Sequence, residues 1–210
     1  GHIPRVKAVV QALGVDPSRL VVLTTQMVAL LRGGQAVKAS KRAGEFITLR
    51  EVTEEIGPDA VRYFFLGRSP EAQMEVDLDL AARQSKENPV YYIQYAHARI
   101  AGILRHARER GLTREGGDVQ ALTAPEEMDL LRRLVLLPDL VESMARNLEP
   151  HHLPRYALEV ATAFHWFYDH CRVVTEDTAL TRARLKLVEA SRLVLSKALG
   201  LMGMSAPERM

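Results

Sequence analysis

The sequence predicts a mainly α protein in two parts, an α/β stretch over residues 1–77 followed by an α-helical bundle over 78–210. Three observations carry this. Leu20 to Thr25 is β-branched and continuously apolar, the pattern of a strand covered on both faces. From about Leu78 onward, apolar residues recur at helical spacing to the end of the chain. Between them the charge reverses, from a net +6 over residues 1–50 to −6 over 51–80.

Each element follows from local signals. Pro4 starts a short helix that runs to about Leu13, Gly14 stops it, and Asp16-Pro17 makes a turn before the expected strand Leu20–Thr25. Gly33-Gly34 closes the next short segment. Thr48 and Glu51 have capping-box spacing and open a helix that stops at Gly57, and Pro58-Asp59 begins another that ends at Gly67. In the second part Asn88-Pro89 caps and starts a helix to about Arg110, with Gly111 after it. Pro125 and Pro138 introduce two more. Leu153 to about Arg172 carries an apolar stripe through Tyr156, Val160, Ala163, Phe164 and Phe167, and Asp177 to Leu199 forms a last long helix ending at Gly200.

Composition narrows the class. Apolar residues make up 47% and charged residues 26% of the 210, values of an ordinary globular protein rather than of a disordered or fibrous one. Apolar runs are about four residues long where a membrane-spanning helix needs about twenty, so no membrane span is expected. A single Cys171 excludes an internal disulfide, and the start at Gly1 has neither Met nor the apolar stretch of a signal peptide. The expectation is a cytoplasmic protein, present here as an excised fragment. His151-His152 and the pair His165, His170 lack metal-ligand spacing, so no protein-ligated metal is expected, and Cys171 reads as a small buried thiol.

The stretch richest in chemistry is Val37-Lys38-Ala39-Ser40-Lys41-Arg42-Ala43-Gly44. Its ammonium, guanidinium and hydroxyl groups could close over a triphosphate and offset the charge that grows as a phosphoryl centre reacts. On these residues alone the signal is weak and a solvated basic loop is the alternative. A second candidate lies on the Asn88–Arg110 helix, where Tyr92, Tyr95, Ala96 and Arg99 share a face. Such rings either straddle the core boundary or stack on the unpaired bases of an RNA loop.

These motifs together resemble one family, the bacterial arginine–tRNA ligases, which are class I aminoacyl-tRNA synthetases. The loop is similar to the family's lysine loop, Lys-Met-Ser-Lys-Arg-x-Gly, with Ala39 where Met is usual. His2-Ile3-Pro4-Arg5 resembles the end of a Gly-Ala-Asp-His-His-Gly-x-Ile-Pro-Arg segment, and Gln26-Met27-Val28 the strand end beside the adenine pocket. Tyr91 to Ile100, Phe164 to Tyr168 and the terminal Ser205-Ala206-Pro207-Glu208-Arg209-Met210 resemble the anticodon-binding domain.

The resemblance implies that residues 1–77 are the C-terminal part of a Rossmann-like catalytic domain and that 78–210 are the helical anticodon-binding domain. It implies ATP as a substrate with Mg²⁺, arginine and tRNA(Arg) as partners, and neither DNA nor membrane. Lys38 and Lys41 would act on the phosphates, Ser40 and Met27 would complete the ATP site, and Tyr92, Tyr95, Arg99, Tyr168, Arg172 and Met210 would take the anticodon. The family's His-Ile-Gly-His-like turn is absent, and most arginine-selecting residues should precede Gly1, so the chain is expected to be inactive alone. Two other readings stay open: a helical tRNA-binding module without catalysis, and part of another class I synthetase such as the cysteine enzyme.

Overall fold

A computed structural model describes residues 1–37 and 47–210. Helix α1 spans Ile3–Ala12 and buries none of its residues. Asp16 then caps a 3₁₀ turn over Pro17–Arg19, its carboxylate accepting from the Ser18 amide at 2.9 Å. The expected strand Leu20–Thr25 does not form. A strand needs a ladder of partners, and among the described residues the backbone from Val21 to Met27 makes a single bond of that kind, Gln26 N–H to the Pro70 carbonyl at 2.9 Å. The run is consequently exposed rather than covered on both faces, with Leu23 59% accessible.

The strand lies just beyond it. β1 (Val28–Arg32) pairs antiparallel with β2 (Gln35–Ala36) and parallel with β3 (Met74–Asp77), in the order β2-β1-β3. Val28 faces Met74 and Leu31 faces Asp77 in the parallel register. Gly33 and Gly34, at φ 57° and 74°, make the two-residue hairpin that only residues tolerant of positive φ can close. Between β1 and β3 run α2 (Leu49–Ile56) and α3 (Pro58–Leu66). The capping box is present: Glu51 N–H donates to Thr48 Oγ1 at 3.2 Å while Thr48 N–H donates to Glu51 at 2.6 Å. The short α4 (Leu78–Ala82) follows β3 directly and packs against α2 and β1.

The bundle is built from α5 (Pro89–Glu109), α6 (Pro125–Leu134), α7 (Leu137–Asn147), α8 (His152–His170) and α9 (Thr178–Leu201). Asn88 joins it to the first part: its Oδ1 caps the Val90 amide at 3.0 Å and its Nδ2 donates to the carbonyls of Ala81 and Arg83. Ile93, Ile100, Leu130, Phe164, Phe167 and Leu195 are fully buried where α5, α6, α8 and α9 meet. Each such side chain contributes about 1.5–3 kcal/mol on leaving water. This core is continuous with Val52, Ala60, Val76 and Leu78 of the first part.

Helix α9 does not stop at Gly200. It continues to Leu201, and the left-handed residue is Gly203, at φ 71°. The Met204 amide reaches the Leu199 carbonyl at 2.9 Å and closes the end, a geometry that burial of Met202 and Met204 reinforces. Inside the bundle Glu127, 1% exposed, accepts from Arg184 Nε at 2.6 Å and from the Ala124 amide at 2.8 Å. Arg184 Nη1 donates in turn to the Arg172 carbonyl at 2.7 Å. This network fixes the turn after α8 against α9. No helix among the described residues is long and apolar enough to cross a membrane.

Candidate nucleic-acid interface

Helices α5 and α8 cross with their aromatic residues facing one another. Helical spacing on α5 brings Tyr91, Tyr92, Tyr95 and Arg99 along one side, and on α8 it brings His165, Tyr168 and Asp169. The Tyr91 and Tyr95 rings are parallel at 6.1 Å between centroids. His165 lies between the tyrosines of α5, 4.5 Å from Tyr92 and 5.9 Å from Tyr95. Arg99 places its guanidinium 5.0 Å from the Tyr95 ring and 4.5 Å from the Tyr168 ring, two cation–π contacts on one cation. Its Nη2 donates to the Tyr95 hydroxyl at 3.1 Å, and Nη1 is 4.0 Å from Asp169.

Ala96 does not share this surface: it is fully buried. A 3.6-residue period gives it the same azimuth as Tyr92, but α5 sinks so far into the bundle that only the long side chains on that stripe reach outward. His165 is also buried, 8% exposed, and its Nε2 has no hydrogen-bond partner among the described residues. Burial pushes its imidazole pKa below the usual 6.5, the Arg99 cation pushing the same way while the Tyr92 backbone and Asp169 oppose. It is therefore neutral at pH 7.

The other predicted residues fall into distinct places. Tyr168 and Arg172 line a groove of about 660 Å³ with Arg99, His106 and Arg110. Met210 lies at the other end of α5, in a cavity of about 460 Å³ beside Asp59, Tyr91 and Gln94. The tail reaches it by folding back over α5. The Ser205 amide donates to Asp59 at 3.2 Å, Gln94 Nε2 donates to Asp59 at 2.7 Å and to the Ser205 carbonyl at 3.1 Å, and His97 Nδ1 meets the Pro207 carbonyl at 2.9 Å. So Tyr92, Tyr95, Arg99 and Tyr168 come together, Arg172 adjoins them, and Met210 shares a cavity with Tyr91 rather than with Tyr168.

Met27 is 87% exposed just before β1. Lys38, Ser40 and Lys41 lie outside the described residues. Cys171 is buried and free, with its thiol pKa raised by that burial. No three His, Cys, Asp or Glu side chains converge as metal ligands among the described residues.

The candidate set in the sequence left out Tyr91, His165 and Asp169, as well as Asp59, Gln94 and His97 that hold the tail. His165 and Asp169 bracket Tyr168 on one face of α8, a signal that was present. Asp59 meets Gln94 across 35 positions, and nothing local could have linked them.

Residues 93–210 match the model of the DALR anticodon binding domain. The whole chain is 56% identical to an arginine–tRNA ligase of Dehalococcoides mccartyi and 51% identical to that of Carboxydothermus hydrogenoformans, covering 38% of each relative. A solved structure from Campylobacter jejuni described as an arginyl-tRNA synthetase superposes over 100% of this chain and 45% of its own, with a TM-score of 0.87 and 33% identity. The Thermus thermophilus arginyl-tRNA synthetase matches 86% of this chain and 34% of its own at 24% identity, TM-score 0.67, a likeness of fold. The chain thus spans less than half the length of the relatives it matches.

Proposed function

Because the chain belongs to the DALR anticodon binding domain family through residues 93–210, we propose that it serves an arginine–tRNA ligase, reading the anticodon of tRNA(Arg) with its helical part. The observation that carries this is the cluster where Tyr92 and Tyr95, backed by the buried His165 ring, offer ring faces while Arg99, clamped between Tyr95 and Tyr168, adds a planar cation. Flat faces at the edge of a helix pair suit unstacked bases of a single-stranded loop. Neutral His165 adds no charge that would favour phosphate over base, and the folded tail places the apolar Met210 in the cavity that Tyr91 lines, at one end of the row.

In this reading residues 78–210 are the anticodon-binding unit and 1–77 the end of a Rossmann-like class I catalytic domain in the cytoplasm. The whole enzyme activates arginine by attack of its carboxylate oxygen on the ATP α-phosphorus. A P–O bond to pyrophosphate breaks as arginyl-adenylate forms. A hydroxyl at the 3′ end of the tRNA then attacks the arginyl carbonyl carbon and AMP leaves. Lys38 and Lys41, with Ser40, hold the phosphates and stabilise the charge that moves onto pyrophosphate, while Met27 borders adenine. Mg²⁺ bound with the nucleotide would further screen the phosphate charge. The chain by itself lacks the remainder of that site and activates no amino acid.

The test is a titration of the 210-residue chain with an anticodon stem-loop of tRNA(Arg) and with the same stem-loop altered at its middle anticodon base. The expected result is at least tenfold weaker binding of the altered RNA, one lost base readout being worth about 1–3 kcal/mol. Equal affinities would overturn the reading.

A further inference from the structure

Next to the aromatic row lies a second feature, the groove of about 660 Å³ between the C-terminal half of α5 and the end of α8. Its lining is part apolar, with Ile103, Val173 and Val174, and its charge is mainly positive. Arg99, Arg110 and Arg172 converge on it with His106 and His170, and its one carboxylate, Asp169, lies 4.0 Å from Arg99. Arg110 and Arg172 are exposed and enter no ion pair among the described residues. Their bases are nevertheless fixed, Arg110 at the C-cap of α5 and Arg172 by the bond from Arg184 to its carbonyl. Two guanidiniums on anchored backbone, without ion-pair partners among the described residues, are available to whatever enters the groove.

Gly102 lines the same groove from the middle of α5. Glycine inside a helix is unfavourable relative to alanine, and packing does not require it here: a Cβ at Gly102 would have Arg105 Nη2, at 3.8 Å, as its nearest neighbour. Its absence keeps the floor of the groove open. An open, cationic, guanidinium-edged trough beside a row of stacking rings has the shape of a backbone track rather than of a base pocket.

We propose that this groove binds the sugar-phosphate backbone of the RNA strand next to the bases held by the tyrosine row, with Arg110 and Arg172 each taking a phosphate and Gly102 giving the strand room. The inference rests on the anticodon reading above. It adds that one end of the α5–α8 surface holds RNA without regard to sequence while the other end discriminates.

The experiment compares the chain with Arg110→Gln/Arg172→Gln and with Gly102→Leu, on cognate and middle-base-altered stem-loops, across a salt series. The double variant should weaken both RNAs by the same factor, about three- to twentyfold. The slope of log affinity against log salt should become shallower by about 1.4, two single-strand phosphate contacts. Gly102→Leu should raise the melting temperature by about 2–4 °C through helix propensity and yet weaken both RNAs equally. Unchanged affinity and salt slope in the double variant, or unchanged binding by Gly102→Leu, overturns the groove assignment while leaving the base-reading assignment in place. Loss confined to the cognate RNA would also overturn it, since the groove would then read sequence. Failure of the unsubstituted chain to distinguish the two RNAs refutes the anticodon reading instead.

Discussion

Tyr95→Ala removes the ring on which most of the proposed interface turns. That ring stacks parallel to Tyr91, flanks His165, carries the Arg99 guanidinium and accepts a hydrogen bond from it. For RNA the loss is one base–ring stack, about 1–3 kcal/mol, or about five- to a hundredfold in affinity. For the fold it is one aromatic pair and one cation–π contact on a half-buried side chain, about 1–2.5 kcal/mol together. A chain of this length should then melt about 2–10 °C lower, which leaves it folded at 15 °C. Tyr95→Phe separates the contributions. It keeps every ring contact and gives up the hydroxyl that Arg99 holds at 3.1 Å, a net cost of about 1 kcal/mol to stability, and should bind RNA within about threefold of the unsubstituted chain. The assay is fluorescence anisotropy of labelled stem-loops at about 0.1 M salt, with the cognate and the middle-base-altered RNA in parallel. Tyr95→Ala should narrow the difference between the two RNAs. An equal loss for both would show that Tyr95 does not read the anticodon, and a Phe variant as weak as Ala would show that stacking is not its contribution.

In the full-length ligase, Lys41→Ala should slow ATP–pyrophosphate exchange by about a hundredfold or more, the scale of one strong charge contact to a transition state, with tRNA affinity unchanged. Exchange at the wild-type rate would make the loop a solvated surface. Glu127→Gln leaves Arg184, whose side chain is 12% exposed, without its counter-charge. Chemical denaturation should register a loss of about 3–5 kcal/mol, and a change below 1 kcal/mol would mean that the pair does not hold α9. For His165 the folded-state pKa lies below the unfolded 6.5, so the unfolded chain binds the proton more readily. Stability should therefore be highest above pH 6.5 and fall as the pH drops below it, levelling off once the folded imidazole is also protonated. Melting temperatures in His165→Phe should lose that part of the acid slope; an identical slope in both proteins would refute the assignment.

The helices were legible in the sequence because their signals are local. Thr48 and Glu51 sit three residues apart and bond across that gap, Asn88-Pro89 supplies a cap and a first turn, and the apolar stripe of α8 repeats every 3.6 residues whatever it packs against. Phe164 and Phe167 on that stripe are buried as their spacing predicts. Gly33-Gly34 marked a chain reversal through backbone freedom alone. The lysine loop and the tyrosine row were visible as residue types at fixed spacing. They became a functional reading through resemblance, since spacing alone made the lysine loop a weak signal and favoured a core boundary for the tyrosines.

What required the tertiary structure was every feature whose partner is distant in sequence. Leu20–Thr25 has the composition of a buried strand, but a strand exists through its neighbours' hydrogen bonds, and the neighbours of this sheet chose Val28–Arg32 instead. Gly200 looked like a helix stop, yet burial of Met202 and Met204 carries the turn on to Gly203. Ala96 belongs to the tyrosine stripe by periodicity and to the core by depth. Whether Arg99 faces solvent or is clamped between rings depends on Tyr168, 69 positions away on another helix, and the tail that brings Met210 to the N-terminal end of α5 is held by Asp59, Gln94 and His97. Periodicity fixes the direction in which a side chain leaves its helix; what it meets there is decided by how deeply the helix is set among the others.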